Sequence, residues 1–147
     1  MNFEVVRSNW KPVYAVVLAT VMVFGTSCSV RKAKGVAALG VANFHSQFNS
    51  KQYRQIYNQT DQGFQKQTSE PQLTDYLEAV HRKLDEVKDA KEVRWRANVT
   101  PSGTQVSLLY QTTFDEGNAT EEFVFIVDGD SSRLFRYNIQ SPTLVTK

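Results

Sequence analysis

Residues 91–127, KEVRWRANVTPSGTQVSLLYQTTFDEGNATEEFVFIV, carry the pattern that decides the fold. Val93, Trp95, Ala97 and Val99 alternate with Arg94, Arg96 and Asn98, a period of two that predicts a half-buried strand. Pro101-Ser102-Gly103 is a turn, and Val106, Leu108, Tyr110, Thr112 and Phe114 continue the alternation in a second strand. After the turn at 115–118, Phe123, Phe125 and Val127 alternate with Val124 and Ile126. The middle of the third strand is therefore apolar on both faces, as in a central strand or one at an interface. Asp128-Gly129-Asp130 closes a further hairpin, and Phe135, Tyr137 and Ile139 mark a fourth strand.

Upstream the period changes to that of a helix. Ala37, Val41, Phe44 and Phe48 recur at spacings of four, three and four and line one helical face. Asn49 and Ser50 are turn or cap types, Tyr53, Ile56 and Tyr57 give a shorter helical piece, and Thr60, Asp61 and Gly63 break it. Ser69 and Gln72 form a capping box with Pro71 in the first turn. Leu73, Tyr76, Leu77, Val80, Leu84 and Val87 then trace a stripe that predicts a core-covering helix. Helices followed by hairpin-linked strands predict an α+β domain, with N-terminal helices packed on one face of a four-stranded antiparallel sheet.

The first thirty residues have a different character. Pro12 to Ser27, PVYAVVLATVMVFGTS, is sixteen residues without a charge, preceded by Arg7 and Lys11 and ending in small residues before Cys28. This is the three-part layout of a secretory signal, and it is shorter than the roughly 20 apolar residues that span a bilayer. Cys28 is the only cysteine, so no intramolecular disulfide forms. Gly25-Thr26-Ser27-Cys28 resembles a bacterial lipoprotein signal, in which the cysteine is lipidated and becomes the mature N-terminus; Gly25 stands where that family usually has leucine. The resemblance implies a signal peptide over 1–27, lipidation of Cys28 and attachment to the membrane through it. A linker over 28–34 and a single domain over 35–147 complete the expected organisation. An uncleaved anchor and an ordinary cleaved signal are the alternatives. For the anchor, Arg31, Lys32 and Lys34 outnumber Arg7 and Lys11 and would turn the domain toward the cytoplasm. Ser29 follows the cysteine where an inner-membrane retention signal would have aspartate, so the resemblance implies the outer membrane, facing the periplasm.

Removing the export segment leaves about 120 residues, enough for one core and too few for two domains. Seventeen Lys and Arg against fifteen Asp and Glu give +2, too balanced for a nucleic-acid footprint. Arg31, Lys32 and Lys34 cluster just past the apolar run, where a solvated juxtamembrane segment touching anionic headgroups is the simpler reading.

The run FHSQFNSKQYRQIYNQ (44–59), the helix from Tyr76 to Val87, the double strand QVSLLYQTTFDEGNATEEFVF (105–125) and the closing RLFRYNIQSP (133–142) resemble the cystatin-like superfamily that includes nuclear transport factor two. In detail they resemble bacterial lipoprotein families of unknown function with that fold. The resemblance covers residues 35–142 and implies a strongly curved sheet. It implies no chemistry, because the fold hosts isomerases, dehydratases and binding modules alike.

No motif assigns a catalytic residue. His81 sits at the edge of its helical stripe, where a hydrogen-bonded boundary residue is expected. No His-x-x-x-His or second cysteine offers a metal site, and no cofactor is expected. Asp115, Glu116, Glu121 and Glu122 flank one hairpin. Glu121 and Glu122 point to opposite faces and cannot form one dyad; Arg94, Arg96 and Arg136 are expected as their cross-strand partners. Three Asn-x-Thr sequons begin at Asn58, Asn98 and Asn118, meaningful only in a eukaryotic secretory pathway.

Trp95, Tyr110, Phe123, Phe125 and Tyr137, with Phe135, are expected mostly in the core, the remainder lining a pocket at the open end of the sheet. The expectation is a lipid-anchored protein of the bacterial cell envelope, with a non-catalytic domain that binds a partner protein or a small apolar ligand. The alternative is an isomerase- or dehydratase-like acid/base enzyme using His81 or a buried carboxylate. Leu109, Val124 and Ile126, out of phase with Tyr110, Phe123 and Phe125, raise a homodimer through the sheets; the competing cover is the N-terminal helix or the tail from Pro142 to Val145.

Overall fold

Ala33, Ala37, Val41, Phe44 and Phe48 are all buried along one stripe of a single long helix, α1 (Phe24–Asn49), which lies across a sheet. The structure, a computed structural model, describes residues 24–146, with side chains over 29–145. Residues 1–23 of the expected signal peptide, and the side chain of Cys28, lie outside the described residues and side chains, while its last four residues, 24–27, open α1. Residues 28–34, expected as a linker, belong to α1. Ala33 is buried there, Lys32 pairs with Asp130 at 2.8 Å and Lys34 with Glu92 at 2.9 Å.

The front half of the buried stripe is small and the back half aromatic, and this sets how closely α1 approaches the sheet. A Cβ on Gly40 would stand 2.8 Å from the Phe125 ring, so the backbone rests almost directly on β3. Helix α1 ends through Lys51 in the left-handed region (φ 56°). Lys51 N–H donates to Phe48 O at 3.0 Å and Gln52 N–H to Gln47 O at 2.8 Å, closing the last turn. Asn49 is more than a cap. Its amide donates to Val87 O (2.9 Å) and accepts from Val87 N–H (2.8 Å), clasping the end of α1 to the first strand as another strand would.

Helix α2 (Tyr53–Asn58) buries Tyr53 and Ile56. The expected break at 60–63 is partly helical: Asp61 caps a single turn, α3 (Gln62–Gln65), by accepting from Gly63 N–H. Helix α4 (Glu70–Leu84) starts at the expected place, with Gln72 Oε1 accepting from both the N–H and the hydroxyl of Ser69. Its buried stripe is Leu73, Leu77, Val80, His81 and Leu84. The helix stops there because Asp85 turns to φ 61°, and Val87, expected on the stripe, is already strand.

Four strands, β1 (Val87–Thr100), β2 (Gly103–Phe114), β3 (Gly117–Asp128) and β4 (Ser131–Gln140), form an antiparallel meander in chain order. The expected α+β class, helices on one face of a curved four-stranded antiparallel sheet, is the observed one. β1 begins six residues before Val93. Its charged opening (Lys88, Asp89, Lys91, Glu92) hides the period of two but suits an edge strand, where charge deters pairing with other chains. Register breaks lie beside Lys88 and Val93 in β1 and beside Phe135 in β4, and such bulges bend a strand. The last one shifts phase: Leu134, not Phe135, pairs with Phe125 and enters the core, while Phe135 lies against Gly63. The 59–61 segment adds a short parallel bridge to β4, through Asp61 N–H to Leu134 O (2.8 Å) and Leu134 N–H to Gln59 O (3.1 Å).

On the inner face the register aligns Tyr110 with Glu121 and Ile139, Leu108 with Phe123 and Tyr137, and Val106 with Phe125 and Leu134, all beneath the helices. On the outer face Leu109 aligns with Arg94 and Glu122, and Val124 with Arg96's partner Ser107 and with Arg136. Neither expected internal cover lies there: α1 packs on the inner face, and the terminal turn α5 (Pro142–Thr146) packs on α4 and the start of β3. Val124 is nevertheless 1% exposed, so of the three residues expected to leave an apolar outer face only Leu109 and Ile126 keep surface, both half-buried.

Two glycines separate backbone need from accident. Gly103 has φ 122° and a Cβ there would lie 2.6 Å from the Val127 carbonyl, whereas Gly35 sits in a helix with nothing within 4 Å. Gly35→Ala is expected to stabilise by about 0.5–1 kcal/mol and Gly103→Ala to destabilise by about 1–3 kcal/mol, read from urea unfolding midpoints at unchanged slope.

Candidate functional site

Glu121 lies in the middle of the inner face, in phase with Phe123 and Phe125, and is 1% exposed. Three side chains close on its carboxylate. His45 Nε2 donates to Oε2 at 2.8 Å from α1, Thr112 Oγ1 to the same oxygen at 2.5 Å from β2, and Tyr137 Oη to Oε1 at 2.7 Å from β4. His45 and Thr112 are buried as well. Aromatic rings wrap the group: His45 meets Phe123 at 5.6 Å and Tyr110 at 6.4 Å, and Phe123 meets Tyr137 at 5.1 Å and Phe44 at 5.1 Å.

This corrects two expectations. Among the described residues Glu121 pairs with no arginine; Glu122, on the other face, pairs with Arg136 at 3.4 Å. His81 is buried rather than hydrogen-bonded at the boundary. Among the described residues its Nε2 has no hydrogen-bond partner, its Nδ1 is 3.9 Å from Asp85, and its ring packs 5.1 Å from Phe48. The signal for Glu121 was present in its phase, two residues before Phe123, but its place beside the DEGN turn made solvent the simpler reading.

The electrostatic consequence appears in the tyrosines. Burial pushes the Tyr137 hydroxyl well above its ordinary value, and the charge of Glu121, the hydrogen bond to it and nearby Tyr76 add to the rise. Tyr76 is raised by burial, opposed by a hydrogen bond to the Ile139 backbone. Tyr110 is raised by burial and then by Glu92.

The five residues expected around a pocket are divided by the structure. Tyr110, Phe123 and Phe125 are buried, Tyr137 is half-buried with its hydroxyl on Glu121, and their rings pack against one another. Trp95 is 41% exposed on the edge strand. Paired with Leu108, it lines a depression of about 230 Å³ with that residue, Arg94, Arg96, Leu109, Glu122 and Arg136.

Of the five, only Phe125 reaches a second cleft, between α1, α2 and the β3–β4 end of the sheet, with a volume of about 240 Å³. Its walls are Phe44, Ile56, Phe125 and Leu134, its floor includes Gly40, and its polar groups are Asn43, Gln47, Gln59 and Ser132. Asn43 Nδ2 donates to Gln59 Oε1 at 2.8 Å across one side. Gln47 is buried, and among the described residues its Oε1 has no hydrogen-bond partner. Among the described residues no cluster of His, Cys, Asp and Glu is placed to hold a metal ion, and no helix is long and apolar enough to cross a membrane.

Residues 41–137 match a protein family described as a protein of unknown function, DUF4019, and the chain belongs to that family. The match runs from the middle of α1 to Tyr137 and so encloses all four members of the carboxylate network and Gln47. No curated protein matches the chain.

Because the Tyr137 pKa is raised on folding, the stability it contributes is fully present below the ordinary tyrosine value of 10.0 and is lost as pH rises through the higher folded value. In a tyrosinate absorbance titration Tyr137 is expected to ionise only with unfolding. Tyr137→Phe should remove that late step and cost about 1–3 kcal/mol, since it withdraws a donor from a buried carboxylate.

Proposed function

We propose that this chain is a lipid-anchored protein of the bacterial cell envelope, held by acylated Cys28, whose domain binds a ligand without carrying out chemistry. The observation that supports binding over catalysis is the engagement of Glu121: both of its oxygens already accept, from His45, Thr112 and Tyr137, within a packed aromatic core. An acid or base that works on substrate needs a lone pair or proton directed at a space where substrate can sit. The clefts that carry Gln47, Trp95, Asp61 and His81 are lined by residues other than Glu121. Of the two buried side-chain atoms without a hydrogen-bond partner among the described residues, His81 Nε2 stands against Phe48 beside a shallow depression, and Gln47 Oε1 belongs to a cleft residue suited to hydrogen bonding and not to proton transfer.

The anchor reading draws on the sequence, with small residues before a lone cysteine after a short apolar run. The course of α1 gives it a mechanical consequence. Ala33 is already packed, five residues past Cys28, and Lys32 is tied to the β3–β4 hairpin. An acyl chain on Cys28 would hold the domain close to the bilayer with almost no slack, and Arg31 would lie near anionic headgroups.

Intact-mass measurement on chain purified from bacterial membranes tests the anchor. The expected product begins at Cys28 and carries acyl mass, and Cys28→Ala accumulates as uncleaved precursor. A mature chain beginning elsewhere, or without acyl mass, overturns it.

A further inference from the structure

A buried hydrogen-bonding atom without a partner costs about 1–3 kcal/mol, and native proteins carry few of them. Gln47 Oε1 is one among the described residues; the atom has almost no surface of its own, but the residue, 6% exposed, lines the cleft between α1, α2 and β4, where a turn of its side chain would bring the amide to a ligand. A leucine at 47 would fill a similar volume and remove the cost, so packing gives no reason for the amide. The backbone gives none either, because the capping of α1 uses the Gln47 carbonyl and not its side chain.

We infer that this cleft is a binding site for a small neutral molecule bearing a secondary amide beside an apolar group, an N-acetylated sugar being the simplest member of the class, with Gln47 as its anchor. No residue lining the cleft is charged. A charged ligand would lose its hydration there without gaining a counter-charge. An acceptor lacking a partner calls for an N–H or O–H, and the Phe44 and Phe125 rings beside it call for C–H surface. An acetamido group presents both within two bonds. Ser132 and the Asn43–Gln59 amide pair supply further donors and acceptors for ring hydroxyls. The volume of about 240 Å³ corresponds to about eight waters at roughly 30 Å³ each, room for one sugar unit. The inference rests on the binding part of the function proposed above and is independent of the anchor.

Ligand-observed saturation-transfer NMR on the full chain tests it, with N-acetylglucosamine, its β-1,4-linked trimer and glucose as probes. The acetyl methyl is expected to receive the strongest saturation, and glucose to bind at least tenfold more weakly. Equal binding of monomer and trimer identifies a free sugar as the source, and tighter binding of the trimer a glycan chain; both support the site. Gln47→Leu is expected to weaken binding at least tenfold while leaving the thermal midpoint unchanged or higher. Ser132→Ile, at a half-buried strand position on the cleft rim, fills the space by an independent route and should give the same loss. Absence of binding to the wild type, or binding that both variants retain, overturns the assignment. Turnover of the probe in the same spectra would instead overturn the non-catalytic reading.

Discussion

Glu121 is held inside an aromatic core at the centre of β3, and an unpartnered charge there would cost several kcal/mol in a domain whose whole stability is of order 5–15 kcal/mol. The fold is arranged to remove that cost. Each donor comes from a different element: His45 from α1, Thr112 from β2 and Tyr137 from β4. For all three to converge, α1 must cross the inner face at one height and one rotation. Ala33, Ala37 and Gly40 permit that approach, since larger residues at these positions would hold the helix off Phe125. The clasp between Asn49 and Val87 then fixes how far along the sheet the helix lies.

That placement opens the cleft. Beyond His45 the helix carries Gln47 toward α2, while the bulge at Phe135 takes that ring out of phase and leaves Leu134 and Ser132 to face the helix end. The same device that fixes the buried carboxylate therefore sets the walls of a neutral pocket. The two features divide the labour of polar groups in the domain. One is satisfied from within and contributes to structure, and the other leaves Gln47 Oε1 without a hydrogen-bond partner among the described residues.

Much of this was legible in the chain before any coordinates. The period of two over residues 91–127 and the stripes at Ala37–Phe48 and Leu73–Leu84 decide the class and the strand order, because alternation and helical spacing report directly on which face is buried. The start of β1 was hidden because an exposed edge strand has no apolar phase to show. Phe135 was assigned to the core because a bulge reverses phase and leaves no mark in composition. Glu121 and His45 were both on apolar phases, two residues before Phe123 and four after Val41, but a lone ionisable residue on such a phase reads as a boundary unless its partners are known. Those partners lie on three separate elements, and only the tertiary fold brings them together. Gln47, off the stripe of α1, was silent for the same reason.

A double-mutant cycle between His45 and Glu121, using His45→Phe, Glu121→Gln and the pair, measures the central interaction most directly, read as unfolding free energies in urea. If the buried carboxylate is what positions α1, the two substitutions are strongly non-additive, with a coupling of about 1.5–3 kcal/mol, the range for hydrogen bonds to charged groups. Additivity within about 0.5 kcal/mol would contradict the account and leave the helix placed by apolar packing and the Asn49 clasp.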